Sequence, residues 1–320
     1  MSAFGPVPSR RLGRSLGINN IPAKICSYSC IYCQLGRTSK ISIERRTFYA
    51  PEKLFKVVKN KVEKSKSRNE GIDYLTFVPD GEPTLDENLG IEIEMLKEIG
   101  IPIAILTNAS LLWRDDVKDD LLKADLVSLK VDAVNEDIWR GINRPHRSLR
   151  INEILDGIIG FSKEFEGRLI TETMLVDGYV DNLEDIADFL SKLRPCKAYI
   201  AIPTRPPAEN WVKPASEGTV NRAFNIFSKS LGEDKVEYLI GYEGSSFALT
   251  GDVEEDLLSI MSVHPMREDG VGEVLRKANA DWSIIDKMLN EKKIIRLEYD
   301  GHTYYMRKIS SRSQSILEEK

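Results

Sequence analysis

The chain has 320 residues, of which 42% are hydrophobic and 30% charged, and a formal net charge of −5. That apolar content is enough for a large core and excludes wholesale disorder. No apolar run approaches the ~18 residues of a membrane-spanning helix, and the 4 cysteines do not make a disulfide scaffold at this length.

At roughly 150 residues per domain, two domains are expected. Residues 1–20 are rich in arginine and proline and lack an apolar h-region, so no signal peptide and a cytoplasmic location are expected. Residues 1–46 carry eight lysines and arginines against Glu44, a net +7 that leaves −12 for the rest of the chain. Such a segment either faces an anionic neighbour or is a plain solvated surface. A strand is predicted around 15–25, with others at 72–78, 101–106, 126–131, 169–176 and 198–202. Amphipathic helical stretches fall at 51–63, 85–99, 115–122, 151–165, 183–193 and 219–231. Pro51 at an N1 position and Asp181 or Asn182 as a cap mark helix starts. Six strands alternating with six helices predict an α/β fold of parallel βα units, a partial (β/α)6 TIM-type barrel. Chemistry in such a barrel sits at the C-terminal ends of the strands.

Near Gly241 the rhythm changes. Short helices are predicted at 252–262, 271–278 and 283–292, then alternating runs at 294–299 and 303–309 flank Asp300-Gly301, a hairpin signal. The pattern predicts a barrel domain over 1–240, a small winged-helix domain over 241–320 and a frayed tail from 310. Residues 250–309 carry nine basic against twelve acidic residues, and the third helix bears Asp286 and Glu291. Phosphate contacts dominate DNA affinity, so specific duplex DNA is not an expected partner.

Cys26, Cys30 and Cys33 form a C-x3-C-x2-C pattern in "ICSYSCIYCQLGR". Thiolates bind iron–sulfur clusters and zinc. Three thiolates would leave one iron of a cubane open to a ligand. Structural zinc needs a fourth ligand, and Cys196 is a distant candidate; His146, His264 and His302 are remote in sequence. Otherwise Cys196 is a buried core residue or a hydrogen-atom donor.

The cysteine pattern, with Tyr32 before its last cysteine in the first βα loop, resembles the radical S-adenosylmethionine (SAM) superfamily over roughly residues 12–235. "PDGEPTL" resembles the family's Gly-Gly-Glu-Pro, with Asp80 in place of the first glycine and Gly81, Glu82 and Pro83 kept. "LTNASLL" is similar to the Thr-Asn-Gly segment, with Ala109 for glycine. "VSLKVDA" resembles the Val-Ser-Leu-Asp segment of the molybdenum-cofactor branch, with Lys130 where aspartate is usual. "YIAIP" falls at the sixth strand, on the adenine side. "FGPVPSRRLGRSLGINNIP" is similar to a single-cluster group filed beside the wyosine-synthetase-like radical SAM proteins.

The resemblance implies one [4Fe-4S] cluster on Cys26, Cys30 and Cys33, and S-adenosyl-L-methionine as cofactor. Glu82 would accept from the SAM amine, Gly81 would permit close approach, and Tyr32 would border the adenine. Asn108 and Ser128 would bond the ribose or sulfonium region, or merely cap strand ends. Lys130 would reach the SAM carboxylate or an anionic substrate, or pair with Asp132. The implied reaction is reductive cleavage of SAM to a 5′-deoxyadenosyl radical that abstracts hydrogen from substrate. Arg10, Arg11 and Arg14, together with Arg205, are candidates to hold an anionic substrate, with RNA or a nucleotide in view; salt bridges on the rim are the alternative. A flavodoxin- or ferredoxin-type electron donor is implied. The competing readings are a protein or peptide modifier of the glycyl-radical activase type and an iron–sulfur winged-helix regulator.

Overall fold

The computed structural model describes residues 3–78, 80–240, 252–263 and 265–308. An antiparallel hairpin of β1 (Ala3–Ser9) and β2 (Gly13–Ile18) opens the chain, followed by the two-residue strands β3 (Ile25–Cys26) and β4 (Lys40–Ile41). Then come α1 (Pro51–Ser67), β5 (Tyr74–Phe77), α2 (Leu89–Lys97), β6 (Ile103–Thr107), α3 (Asp115–Leu121) and β7 (Leu126–Lys130). Next are α4 (Glu136–Asn143), α5 (Ile151–Glu164), β8 (Arg168–Met174), α6 (Leu183–Leu193), β9 (Lys197–Ala201), α7 (Glu217–Leu231) and β10 (Val236–Leu239).

The main sheet has eight strands in the order β1-β2-β5-β6-β7-β8-β9-β10, parallel from β2 onward. Alternate residues of each strand face opposite sides. Leu75, Ile105, Val127, Leu169 and Ile200 pack under the helices. Leu12, Ala104, Leu126, Ile170, Tyr199 and Leu239 meet on the other side, although they come from distant strands, so the sheet curls into a partial barrel. Arg10 Nη1 donates to Ile240 O at 2.6 Å, linking the turn after β1 to the end of β10 at the opposite sheet edge.

The second unit comprises α8 (Val253–Val263), β11 (Met266–Arg267), α9 (Glu268–Lys277), α10 (Ser283–Asn290), β12 (Ile294–Tyr299) and β13 (His302–Arg307). Its sheet runs β11-β13-β12, and its own core gathers Leu257, Ile260, Met266, Val271, Leu275 and Met288. Asp300 and Gly301 turn the hairpin with φ of 48° and 71°, the left-handed pair that a two-residue turn requires. The expected boundary after residue 240 and the tail from 310 lie against stretches outside the described residues. No described helix is long and apolar enough to cross a membrane.

Several expectations need correction. The strand expected at 15–25 ends at Ile18, and the chain from Asn19 onward becomes a loop. β1 is a strand beyond those expected; it carries Pro6 and Pro8 at a sheet edge, where proline is tolerated. β10 adds a strand beyond the sixth. α4 was also not expected, although its cap is ordinary: Asn135 Oδ1 accepts from Asp137 N and Ile138 N at 2.9 and 3.2 Å. Asn182 precedes α6 without a side-chain capping bond. Cys196 is exposed, not core. It stands at the entry to β9, where its N donates to Leu169 O at 2.8 Å. That is the N-terminal end of the strand, away from the other cysteines, so it supplies no fourth ligand.

Candidate active site

The strands' C-terminal ends and the loop after β2 enclose a cavity of about 350 Å³. Cys26, Cys30 and Cys33, Tyr32, Gly81, Glu82, Asn108, Ser128, Lys130, Arg10, Arg11 and Arg205 all line it. Residues expected from motifs 195 positions apart thus meet at one place.

The cysteine loop is held from several directions. Cys33 N donates to Cys30 O at 3.1 Å, and Ile31 N donates to Ile142 O at 3.0 Å. The Asn108 amide donates to Cys26 Sγ at 3.5 Å and Ser27 Oγ at 2.9 Å; the Asn143 amide donates to Cys30 Sγ at 3.5 Å. Burial pushes the Cys26 thiol well up, reinforced by Glu82 and Cys30, and pushes Cys30 up to about 12, reinforced by Asp132. These sulfurs become thiolates only beside a strong positive charge, which a bound metal centre supplies. Among the described residues no group of three or more His, Cys, Asp or Glu is gathered tightly enough for a single ion. The sulfurs are spread along the wall of one cavity, and the amide donors would strengthen them as ligands. This donor set fits a polynuclear iron–sulfur centre.

Glu82 is buried beside them. Its Oε1 accepts from Thr84 N at 3.1 Å and from the hydroxyls of Thr84 and Thr107 at 2.6 Å each; its Oε2 accepts from Asn108 N at 2.8 Å. Burial raises its pKa, and the four donors oppose the rise. Gly81 sits where a Cβ would come within 1.9 Å of Ile25 O, so only glycine lets this strand end approach the cysteine loop. Ala109 has φ of 62°, which accounts for the glycine of the resembling motif and leaves alanine in a left-handed conformation here. Asp80 is buried at the cavity edge and accepts from Asn19 Nδ2 at 2.8 Å. Burial pushes it up to about 6, against the hydrogen bond of Asn19 and the charges of Arg307 and Lys24.

The wall adjoining the cysteine loop is ionic. Glu172 accepts from Arg11 and from Lys130, the latter at 2.8 Å. Lys130 also stands 3.4 Å from Asp132 and 4.9 Å above the Tyr32 ring. The Tyr32 hydroxyl donates to Asp132. Burial alone would raise Glu172, but Lys130 and Arg11 outweigh it and hold the carboxyl at about 2. Ser128 is 3.4 Å from Arg11, and Arg205 donates to Gln34 Oε1 at 3.0 Å. Lys130 therefore takes the internal pairing anticipated for it, extended by Glu172.

The basic N-terminal segment divides. Arg10, Arg11 and Lys24 line the cavity. Arg14 instead lies 3.6 Å from Asp73, Arg45 binds Asp116 and Asp120, and Arg37 binds Glu209 at 2.8 Å. Those charges fasten loops to the barrel. Sequence reading missed Asn143, Glu172, Asp132 as a hub, and Gln34. Asn143 ends the unexpected helix α4, and Glu172 shares the inward face of β8 with Ile170.

A profile of the Radical SAM superfamily matches residues 20–191. A UPF0026 protein of Methanocaldococcus jannaschii is 53% identical over 317 residues, 98% of each chain. Among solved structures, a radical SAM methyltransferase from Sphaerobacter thermophilus has a TM-score of 0.54 at 17% identity, covering 72% of this chain and 69% of that one. The structure of TYW1 with a bound lysine–pyruvate adduct has a TM-score of 0.50 at 18% identity, covering 68% and 73%. At such identities the structures attest the fold, while the profile and the archaeal relative attest the family. The chain belongs to the Radical SAM superfamily, whose members bind a [4Fe-4S] cluster and S-adenosylmethionine.

Proposed function

We propose that this chain is a radical SAM enzyme whose cluster is held by Cys26, Cys30 and Cys33 and whose substrate is anionic. The observation that carries the reading is the single cavity that brings together the thiols, a fixed carboxylate and the cationic side chains Arg10, Arg11 and Arg205. When bound, the cluster supplies one electron that splits SAM into methionine and a 5′-deoxyadenosyl radical, which takes a hydrogen atom from substrate. The protein's part is placement and exclusion of water. Glu82, held by four donors, presents its carboxylate to an amine. Asn108 and Asn143 aim N–H groups at the sulfurs. The arginines favour a carboxylate or phosphate ligand, and a nucleotide or RNA falls in that class. A flavodoxin- or ferredoxin-type protein is the proposed electron donor. We take residues 1–240 and 241–320 as separate domains, the second winged-helix-like and too acidic to favour duplex DNA.

Anaerobic reconstitution followed by reduction tests the reading. The parent and Cys196→Ala should release 5′-deoxyadenosine from SAM and carry the brown iron–sulfur absorbance. Cys30→Ala should do neither. An intact chromophore in Cys30→Ala, or its loss in Cys196→Ala, would reassign the ligands.

A further inference from the structure

One wall of the cavity belongs to neither the cysteine loop nor the ionic floor. Ile202, Pro203, Thr204 and Arg205 leave β9 and line the cavity directly. Prolines at 203, 206 and 207 deprive this stretch of three backbone donors. It is fixed from outside by the second unit. Tyr299 Oη donates to Pro203 O at 3.1 Å, and Tyr304 Oη donates to Thr204 O at 3.0 Å. These partners are 96 and 100 residues apart in sequence. The two phenol rings brace each other edge to face, with centroids 6.5 Å apart. On the cavity side, Arg205 reaches Gln34 Oε1 at 3.0 Å, one residue beyond Cys33. The wall is thus pinned between the hairpin of β12 and β13 and the cysteine loop.

The second unit is anchored well enough to serve as a clamp. Val7 of β1 packs against its core, and Lys61 of α1 stands 3.7 Å from buried Asp256. It therefore bears on β1 at one sheet edge and on the exit from β9 near the other. Two hydroxyls on consecutive carbonyls exceed what simple packing of the hairpin needs.

We propose that Tyr299 and Tyr304 are positioning residues that hold the Pro203–Thr204 wall in its binding shape, so that ligand affinity in the cavity is set from the C-terminal unit. This rests on reading the cavity as the SAM site. Without the two bonds the wall samples other conformations, and apparent affinity falls by the fraction of time it is correctly placed.

The test uses the full-length reconstituted protein, with SAM binding measured by calorimetry. Tyr299→Phe/Tyr304→Phe keeps both rings and removes both bonds. It should weaken SAM binding by about three- to tenfold, the order expected for a binding-competent fraction of that size. Hydrogen exchange across residues 202–207 should quicken, while iron content and Tm stay at parent values. Tyr305→Phe is the internal control. Its hydroxyl lies on the same strand and donates to Glu268 Oε1 at 3.2 Å within the second unit. It should bind SAM as the parent does. Parent-like affinity in the double variant, or an equal loss in Tyr305→Phe, overturns the proposal. A parent that holds its cluster but binds no SAM overturns the reading of the cavity itself.

Discussion

The two walls of the cavity handle buried polarity in opposite ways. On the ionic wall, Arg11, Lys130, Glu172 and Asp132 neutralise one another, and Glu172 stays ionised because its cations outweigh burial. On the sulfur wall burial drives the Cys26 and Cys30 thiols toward neutrality, although Lys130 lies near enough to Cys30 to interact with it. One wall is electrostatically complete before any ligand arrives, and the other is completed by a bound metal centre. The pairing holds Arg11 and Lys130 in place before a ligand arrives, whereas the sulfurs gain their counter-charge only with a bound centre.

The largest effect should come from breaking the complete wall. Glu172→Gln strands Arg11 and leaves Lys130 only Asp132 at 3.4 Å; the two cationic side chains are only 13% and 19% exposed. Removing one partner from a buried ionic group costs about 3–5 kcal/mol. Denaturant unfolding should register a loss of that order, and combining Glu172→Gln with Arg11→Met should recover part of it. A loss below about 1 kcal/mol would mean that the wall behaves as an exposed pair. The linkage sign is fixed as well: Glu172 is depressed on folding, so its contribution is present above the ordinary carboxyl range and lost as pH falls toward about 2.

A third buried site shows what an acid does with little help. Glu92 on α2 is 1% exposed and faces no cation that lowers it; Asn20 alone opposes the rise in its pKa, and its carboxylate oxygens lack a well-formed hydrogen bond among the described residues. Burial pushes it up to about 9, with Asp86 adding to the rise. Below the ordinary carboxyl range both states are protonated, and there is no cost. Above it the unfolded chain ionises while the folded one keeps its proton, so stability falls as pH rises toward about 9. The slope is at most about 1.4 kcal/mol per pH unit. Glu92→Gln lacks this proton, so its advantage over the parent should grow between pH 5 and about pH 8, read as a rising difference in urea midpoint. Equal midpoints at both pH values would show that the carboxylate finds a partner.

Much of this was legible in the sequence where period and turn chemistry agree. The strands from β5 to β9 fall within about two residues of the predicted runs, and the Asp300-Gly301 hairpin forms in the expected register, with Tyr299 opposite His302. β1 lies beyond those runs, with its prolines tolerated at an edge. The sulfur wall was legible because its residues are adjacent in sequence or sit in short motifs. The ionic wall was not, because Glu172 becomes a partner of Arg11 only when the fold brings β8 beside a turn 161 residues earlier. The basic segment misled in part: net charge records how many arginines are present, and Arg14, Arg37 and Arg45 turn out to face acids at the barrel's periphery or rim.

The smallest effect concerns Glu82, where the sulfur wall borrows the ordering style of the ionic one. Among the described residues it forms no ion pair, yet its position is fixed by Thr84, Thr107 and Asn108. Charge and placement can therefore be separated by mutation. Glu82→Gln removes the charge and sets an amide against the Asn108 N–H. Thr107→Val keeps the charge and removes the 2.6 Å bond to Glu82, together with the one Thr107 Oγ1 accepts from Ala109 N at 3.0 Å. An amine deprived of a buried carboxylate loses about 1–3 kcal/mol, so SAM binding should weaken about tenfold or more in Glu82→Gln, with iron content unchanged. Thr107→Val should cost SAM binding only about two- to fivefold, the worth of the one bond that reaches Glu82. If the two variants weaken SAM equally, placement is the whole of Glu82's role. If neither does, the amine is held elsewhere, and Glu82 serves only to tie the β5 and β6 loops together.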